Sequence, residues 1–171
     1  EKGLLRKKFP ELEGKRILLF LSRINFKKGL DILVKGFSKI HQEFSDAHLV
    51  IAGPDNDGFA QNVRNWVSEH SLEDKVTFTG MLKGEDKFAA LVDAEIYVLS
   101  SYTENFGISI VEAMACGLPV IITNKVNIWR EIESAKAGKV ISCSADELAD
   151  AFRDTLSLSL IHIDAADDDR S

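Results

Sequence analysis

Apolar positions along this chain fall into two alternating patterns, short unbroken runs and longer stretches at helical spacing. Residues 16–22 (Arg-Ile-Leu-Leu-Phe-Leu-Ser) form a near-continuous apolar run and read as a buried strand. Residues 30–44 then carry apolar side chains at Leu30, Leu33, Val34, Phe37, Ile40 and Phe44, which predicts a helix. Residues 48–53 make a second strand ended by Gly53-Pro54. Residues 59–68 make a helix with Val63, Trp66 and Val67 inward. A third strand over 75–79 stops at Gly80. A short helix over 85–93 is expected to turn Phe88, Leu91 and Val92 inward, and a fourth strand covers 96–99. A helix opens at Gly107 and closes at Gly117 and Pro119, followed by a fifth strand over 119–123. A short helix over 128–132 and a sixth strand over 139–142 come next. Ser144 caps a last helix through Leu156, with Glu147 completing a capping box.

Strands alternating with helices of this length imply right-handed βαβ units. The fold class is therefore α/β, a Rossmann-like doubly wound open parallel sheet of about six strands with helices on both faces. In such a sheet the ligand lies beyond the carboxyl ends of the strands. That rule singles out the loops at 23–29, 53–58, 80–84, 100–107 and 123–127. Asp55-Asn56-Asp57-Gly58 within them has turn composition and lacks the spacing of an EF-hand. The 171 residues suit one domain, placed at 1–158. After it the pattern drifts to alternation and then to Asp164-Ala165-Ala166-Asp167-Asp168-Asp169-Arg170-Ser171, so 159–171 is expected to be a poorly ordered tail foreign to the fold.

The chemistry concentrates in residues 104–121, where Glu104 lies in a loop and Glu112 lies eight positions on, upon the helix that opens at Gly107. The first turn of a helix presents unpaired N–H groups and partial positive charge, which attract anions. Gly107 leaves the backbone open to a phosphate oxygen. An ionised Glu is an acceptor suited to sugar or ribose hydroxyls, and Glu112 shares a helix face with Ile108. Taken alone, Glu112 also fits a solvated surface position. A second loop, Ser22-Arg23-Ile24-Asn25-Phe26-Lys27-Lys28-Gly29, brings Arg23 off a strand end and puts Lys28 just before the next helix. A guanidinium can grip phosphate oxygens in bidentate fashion and an ammonium adds a point charge. Five residues span at most about 17 Å, so one turn can bring both cations to one group. No G-x-G-x-x-G and no G-x-x-x-x-G-K-[ST] occurs, which disfavours a plain dinucleotide-binding domain or a P-loop enzyme.

Charge sharpens this picture. The net charge is −6, yet the first fifty residues hold eleven Lys/Arg against six Asp/Glu, leaving ten against twenty-one in the rest. A basic first unit beside an acidic remainder suggests a local anion site. Without an aromatic-interleaved basic stripe, no nucleic-acid partner is expected. The chain has no apolar run near the ~18 residues a membrane span needs, and residues 1–9 lack an apolar signal core. Cys116 and Cys143 have no metal-ligand spacing and are expected to be free core thiols. Together these observations predict a cytoplasmic protein.

The combination of Ser22-Arg23 with Lys28-Gly29, Val76-Thr77-Phe78-Thr79-Gly80, and Glu104 to Glu112 running into Glu112-Ala113-Met114-Ala115-Cys116-Gly117-Leu118-Pro119-Val120-Ile121 resembles the group-one, family-four retaining glycosyltransferases of the GT-B fold. The likeness covers about residues 10–155 and corresponds to the C-terminal, nucleotide-sugar-binding half of those two-domain enzymes. It implies that Arg23, Lys28 and Glu104 act in catalysis, with both cations on the diphosphate and Glu104 on the donor sugar. It implies that Glu112 binds ribose hydroxyls and that the stretch Asn105, Phe106, Gly107 and Ile108 meets sugar and phosphates. Gly80, Met81 and Leu82 would border the base.

The implied substrate is a UDP- or GDP-type sugar. No cofactor and no metal is implied, which agrees with the expectation of no Asp-x-Asp metal motif near the site. The implied partners are that donor and an acceptor-binding N-terminal half absent from these residues, with peripheral membrane association open to the full-length enzyme. On this reading the isolated domain binds donor without completing transfer. Ser22 stands where the family often has Gly. A sugar-nucleotide epimerase half-domain and a non-catalytic nucleotide-binding module remain as alternatives. A flavodoxin-like phosphoacceptor regulator would place an acidic pocket after strand one, where this chain has Arg23.

Overall fold

The structure, a computed structural model, describes the backbone of residues 1–168 and the side chains of residues 1–159. Six strands build one sheet: β1 (Arg16–Leu21), β2 (Ala47–Ala52), β3 (Val76–Gly80), β4 (Ile96–Leu99), β5 (Val120–Thr123) and β6 (Gly138–Ile141). Their order is β3-β2-β1-β4-β5-β6, and every pairing is parallel. Parallel strands need long crossovers, which the helices supply: α1 (Leu4–Lys8) precedes the sheet, and α2 (Leu30–Ser38), α3 (Ala60–Glu69), α4 (Glu85–Asp93), α5 (Ile108–Ala115), α6 (Trp129–Ser134) and α7 (Ala145–Asp168) follow the strands in turn. Right-handed crossovers put α2 and α3 on one face and α4 to α6 on the other. The last helix, α7, crosses back to lie on α2, and α1 lies on α4.

The core sits on both faces of β1, β2 and β4, whose apolar side chains are nearly all shut from water. Burial on both faces explains why these strands read as continuous apolar runs. The strand order reverses between β1 and β4, the point at which a doubly wound sheet opens a crevice at its carboxyl edge.

Several expectations shift. The helix predicted over 30–44 ends at Ser38. There the backbone tightens, with the Lys39 and Ile40 amides donating to Gly36 and Phe37 at 3.2 and 3.1 Å, while Ile40 stays in the core. Phe88 and Val92 face outward, 50% and 39% exposed. Ala89, Ala90 and Leu91 fill the inner side of α4 instead. Cys116 is an exposed helix-end residue and only Cys143 is part-buried, which corrects the expectation of two core thiols. The α7 cap is half of the expected box: the Glu147 amide donates to Ser144 Oγ at 3.2 Å, but the Glu147 carboxylate accepts from the Ser142 amide at 2.9 Å.

Helix α1 had no counterpart in the hydrophobic pattern. It forms because the buried Asp93 carboxylate accepts the Gly3 and Leu5 amides at 2.5 and 2.9 Å, beside the buried Leu5. Helix α7 runs on past Leu156 to Asp168, and residues 169–171 of the expected tail lie outside the described residues.

Candidate functional site

Three loops build the crevice. After β1, Phe26–Lys28 form a single 3-10 turn, capped by Asn25 Oδ1 accepting the Lys27 amide at 3.0 Å. Gly29 ends that turn in the left-handed region with φ 62°, and a Cβ there would lie 1.8 Å from the Ser100 carbonyl oxygen. Only glycine permits so close an approach. The loop after β4 straps the turn in place, because Ser100 Oγ donates to the Gly29 carbonyl at 2.8 Å and the Tyr102 amide donates to the Lys27 carbonyl at 2.8 Å. The loop after β5 holds Glu104 in turn. The Glu104 amide donates to Lys125 O at 3.3 Å and its carbonyl accepts from Asn127 at 3.1 Å. Lys28 and Glu104 are thereby fixed by backbone from both sides. Lys28 Nζ meets Glu104 Oε2 at 2.5 Å, with side chains only 10% and 19% exposed.

Helix α5 supplies another part of the cleft lining. Gly107 leads into it at φ 70°. Among the described residues, the N–H groups of Phe106, Gly107, Ile108 and Ser109 have no hydrogen-bond acceptor. From the buried Tyr97 of β4, the hydroxyl shares a 2.5 Å hydrogen bond with Ser109 Oγ, anchoring the first turn of α5 to the sheet. Burial pushes the Tyr97 phenol well above its ordinary range, so it stays protonated and neutral under the helix. Tyr102, whose hydroxyl donates to Asp31 Oδ2 at 2.6 Å, is pushed up to about 12 by burial and by that bond.

The strand ends and loops after β1, β2, β3 and β4, with the first turns of α4 and α5, border a cleft of about 670 Å³ at the carboxyl edge, and the β5 loop only braces Glu104 from outside it. Arg23, Lys28, Met81, Leu82, Glu104, Phe106, Gly107, Ile108 and Glu112, all expected from the sequence, line it together. The loop cations and Glu112 therefore share one cleft. Two expected residues lie beside it. Gly80 lines an adjoining hollow of about 570 Å³ with Arg64 and Phe78, and Asn105 lines a small polar one of about 180 Å³ with Arg23, Lys28 and Glu104. Sequence reasoning missed Lys87 and Ser109, which also face the cleft, and gave no site role to Pro54 and Asn56, although the 53–58 loop that carries them was singled out. Lys87 sits just past the 80–84 loop, but in a charged helix turn its signal is that of any solvated lysine. Asp55-Asn56-Asp57 is itself an Asp-x-Asp, and Asn56 lines the cleft. That corrects the expectation that no such motif lies near the site. Among the described residues, no group of three or more His, Cys, Asp or Glu side chains is arranged to hold a metal ion. No helix among them is long and apolar enough to cross a membrane.

Comparison with known proteins places this geometry in a family. The family described as glycosyl transferases group 1 matches residues 1–166. Mannosylfructose-phosphate synthase of Agrobacterium fabrum is 36% identical over 135 residues, covering 75% of this chain and 29% of that protein. Among solved structures, Anabaena Alr3699/HepE in complex with UDP-glucose superposes with a TM-score of 0.81 at 21% identity, over 92% of this chain and 43% of that one. The C-terminal domain of a group 1 family glycosyl transferase from Francisella tularensis superposes with a TM-score of 0.76 at 22% identity, over 89% of this chain and 82% of that one. These structural likenesses carry the fold, a GT-B half of six parallel strands. The chain spans about a third of the length of the curated relatives it matches. It belongs to the group 1 glycosyl transferases.

Proposed function

We propose that this chain is the donor-binding domain of a retaining glycosyltransferase, and that its donor is a nucleotide sugar of the UDP or GDP type. The observation that carries the reading is the convergence of a backbone-fixed Lys28–Glu104 pair, Arg23, Glu112 and the unpaired α5 amides on one cleft. A diphosphate flanked by a nucleoside and a sugar presents charge at its centre and hydroxyls on both sides. The cleft offers the complement. Arg23, Lys28 and the amides of Phe106, Gly107 and Ile108 answer the phosphates. Glu112 accepts from ribose hydroxyls and Glu104 from the donor sugar. Asn105 stands beside Glu104, and Gly80, Met81 and Leu82 border the base. The UDP-glucose held by the structurally similar Anabaena protein supports this ligand class.

The difficult step is breakage of the anomeric C–O bond. Positive charge builds on the sugar ring and negative charge on the departing phosphate. Fixed cations and oriented amides stabilise the departing charge without reorganising during the reaction. An acceptor hydroxyl then takes the sugar with its anomeric configuration kept. In this reading the acceptor is held by a second domain, the chain alone binds donor without transferring it, and no metal is needed.

Isothermal titration of the chain with UDP, GDP and their glucose and mannose conjugates, in EDTA and again in Mg²⁺, tests the proposal. Binding of one nucleoside diphosphate, undiminished by EDTA, is expected. Glu112→Ala should weaken it about tenfold, the loss of one hydrogen-bonding carboxylate. Unchanged affinity in Glu112→Ala, or no binding by the wild-type chain, overturns the reading.

A further inference from the structure

Glu112 does not stand alone on its rim. Lys87, in the first turn of α4, brings its Nζ to 2.7 Å from Glu112 Oε2, and both residues line the cleft. The two helices that carry the pair are anchored independently. At the far end of α4, the Asp93 carboxylate takes the Gly3 and Leu5 amides, so α1 is strapped across that helix. From beneath α5, Tyr97 holds Ser109. The ion pair therefore joins two elements whose places are set elsewhere, and the pair itself is not needed to hold either helix.

What the pair does set is a carboxylate. A free Glu side chain turns about several bonds, and ordering it when a ligand arrives costs affinity. An ammonium 2.7 Å from Oε2 draws the carboxylate to one side by charge, narrowing the positions it can take, and leaves Oε1 for the ligand. Lysine suits this role, since a point charge holds one oxygen where an arginine fork would engage both. We infer that Lys87 is a positioning residue: it holds Glu112 so that the free oxygen meets the hydroxyls of a ribose-like diol. The inference rests on the donor-site reading of Glu112. On the same reading the phosphates belong to Arg23 and Lys28, which sit on the loop after β1 and make no contact with Lys87 or Glu112 among the ion pairs of the described residues, so the influence of Lys87 is confined to recognition of the hydroxyls.

That confinement makes the inference testable. Affinities of the tighter binder among UDP and GDP, and of its 2′,3′-dideoxy form, are measured by titration calorimetry for wild type, Lys87→Ala, Lys87→Gln and Lys87→Arg. The wild-type chain should prefer the ribo form by about tenfold or more, the value of a hydrogen bond to a charged group. Lys87→Ala and Lys87→Gln should lose most of that preference and bind the dideoxy form as the wild type does. Lys87→Arg should recover part of it. Near-ultraviolet circular dichroism confirms that each variant is folded, and either neutral variant alone suffices for the test.

Equal weakening of both ligands in Lys87→Ala or Lys87→Gln would overturn the inference by placing Lys87 on the phosphates or in the fold. A full ribo preference retained without Lys87 would overturn it by making the pair a solvated surface contact. Glu112→Gln separates the two levels of the argument. If it abolishes the preference while Lys87→Ala keeps it, only the role of Lys87 fails. If Glu112→Gln keeps it too, the donor-site reading of Glu112 fails with it.

Discussion

Two lysine–glutamate pairs line one cleft and are built in opposite ways. Lys28 and Glu104 sit on loops pinned by backbone hydrogen bonds from β4 and β5 connections, and their side chains are 10% and 19% exposed. Lys87 and Glu112 sit on two helices fixed at a distance, and are 32% and 22% exposed. The first pair is nearly shut from water, so removing one member leaves an uncompensated charge. The second keeps contact with water and contributes little to folding. Similar contacts therefore divide into one that stiffens the site and one that aims a side chain within it.

Removing Lys28 probes the stiff end and carries the largest expected effect. In an enzyme containing this domain, Lys28→Ala should lower turnover by about 10²–10³, or roughly 2.7–4 kcal/mol of transition-state stabilisation. Initial rates at saturating donor provide the measurement. Retention of most activity would remove Lys28 from the mechanism and erase the difference between the two ends. The double variant Lys28→Met, Glu104→Gln should recover folding stability relative to Lys28→Ala, because no charge is left unpaired, yet remain inactive.

Next in size is Gly29, which ends the Lys28 turn. Gly29→Ala would force a Cβ at positive φ against the Ser100 carbonyl, 1.8 Å away. The cost should be about 1–3 kcal/mol in urea unfolding, with Lys28 displaced and donor affinity reduced. A Gly29→Ala chain as stable as wild type would show that the β1 and β4 loops are less tightly strapped than their hydrogen bonds indicate.

How much of this was legible in the sequence depended on the range of the forces involved. The six strands were, because strands buried on both faces must be continuously apolar. The α5 mouth was, because Gly107 and the Gly117–Pro119 stop are local signals. Arg23, Lys28, Glu104 and Glu112 were found as residues that topology brings to one edge. The Lys28–Glu104 contact itself joins positions 76 apart and leaves no local mark. Helix α1 was missed for the same reason: its five residues are mostly charged, and it depends on Asp93, some ninety positions away. Phe88 and Val92 misled because apolar spacing cannot say which side of a helix small residues such as Ala89 and Ala90 will claim. Asn56 was passed over because its turn composition explained it fully as structure.

The smallest expected effect completes the comparison. Lys87→Ala should change unfolding free energy by less than about 1 kcal/mol, since the pair keeps contact with water and both helices are anchored by other bonds. Urea denaturation of the ligand-free chain measures this directly. The same substitution should still remove most of the preference for the ribo over the 2′,3′-dideoxy nucleoside diphosphate, so its effects on stability and recognition should separate. In Lys28→Ala they should fall together, because that lysine is buried against Glu104 and, on the proposed donor reading, serves the phosphates. A stability loss in Lys87→Ala above about 2 kcal/mol would make the second pair a structural strut, and the division between a stiffening contact and an aiming one would collapse.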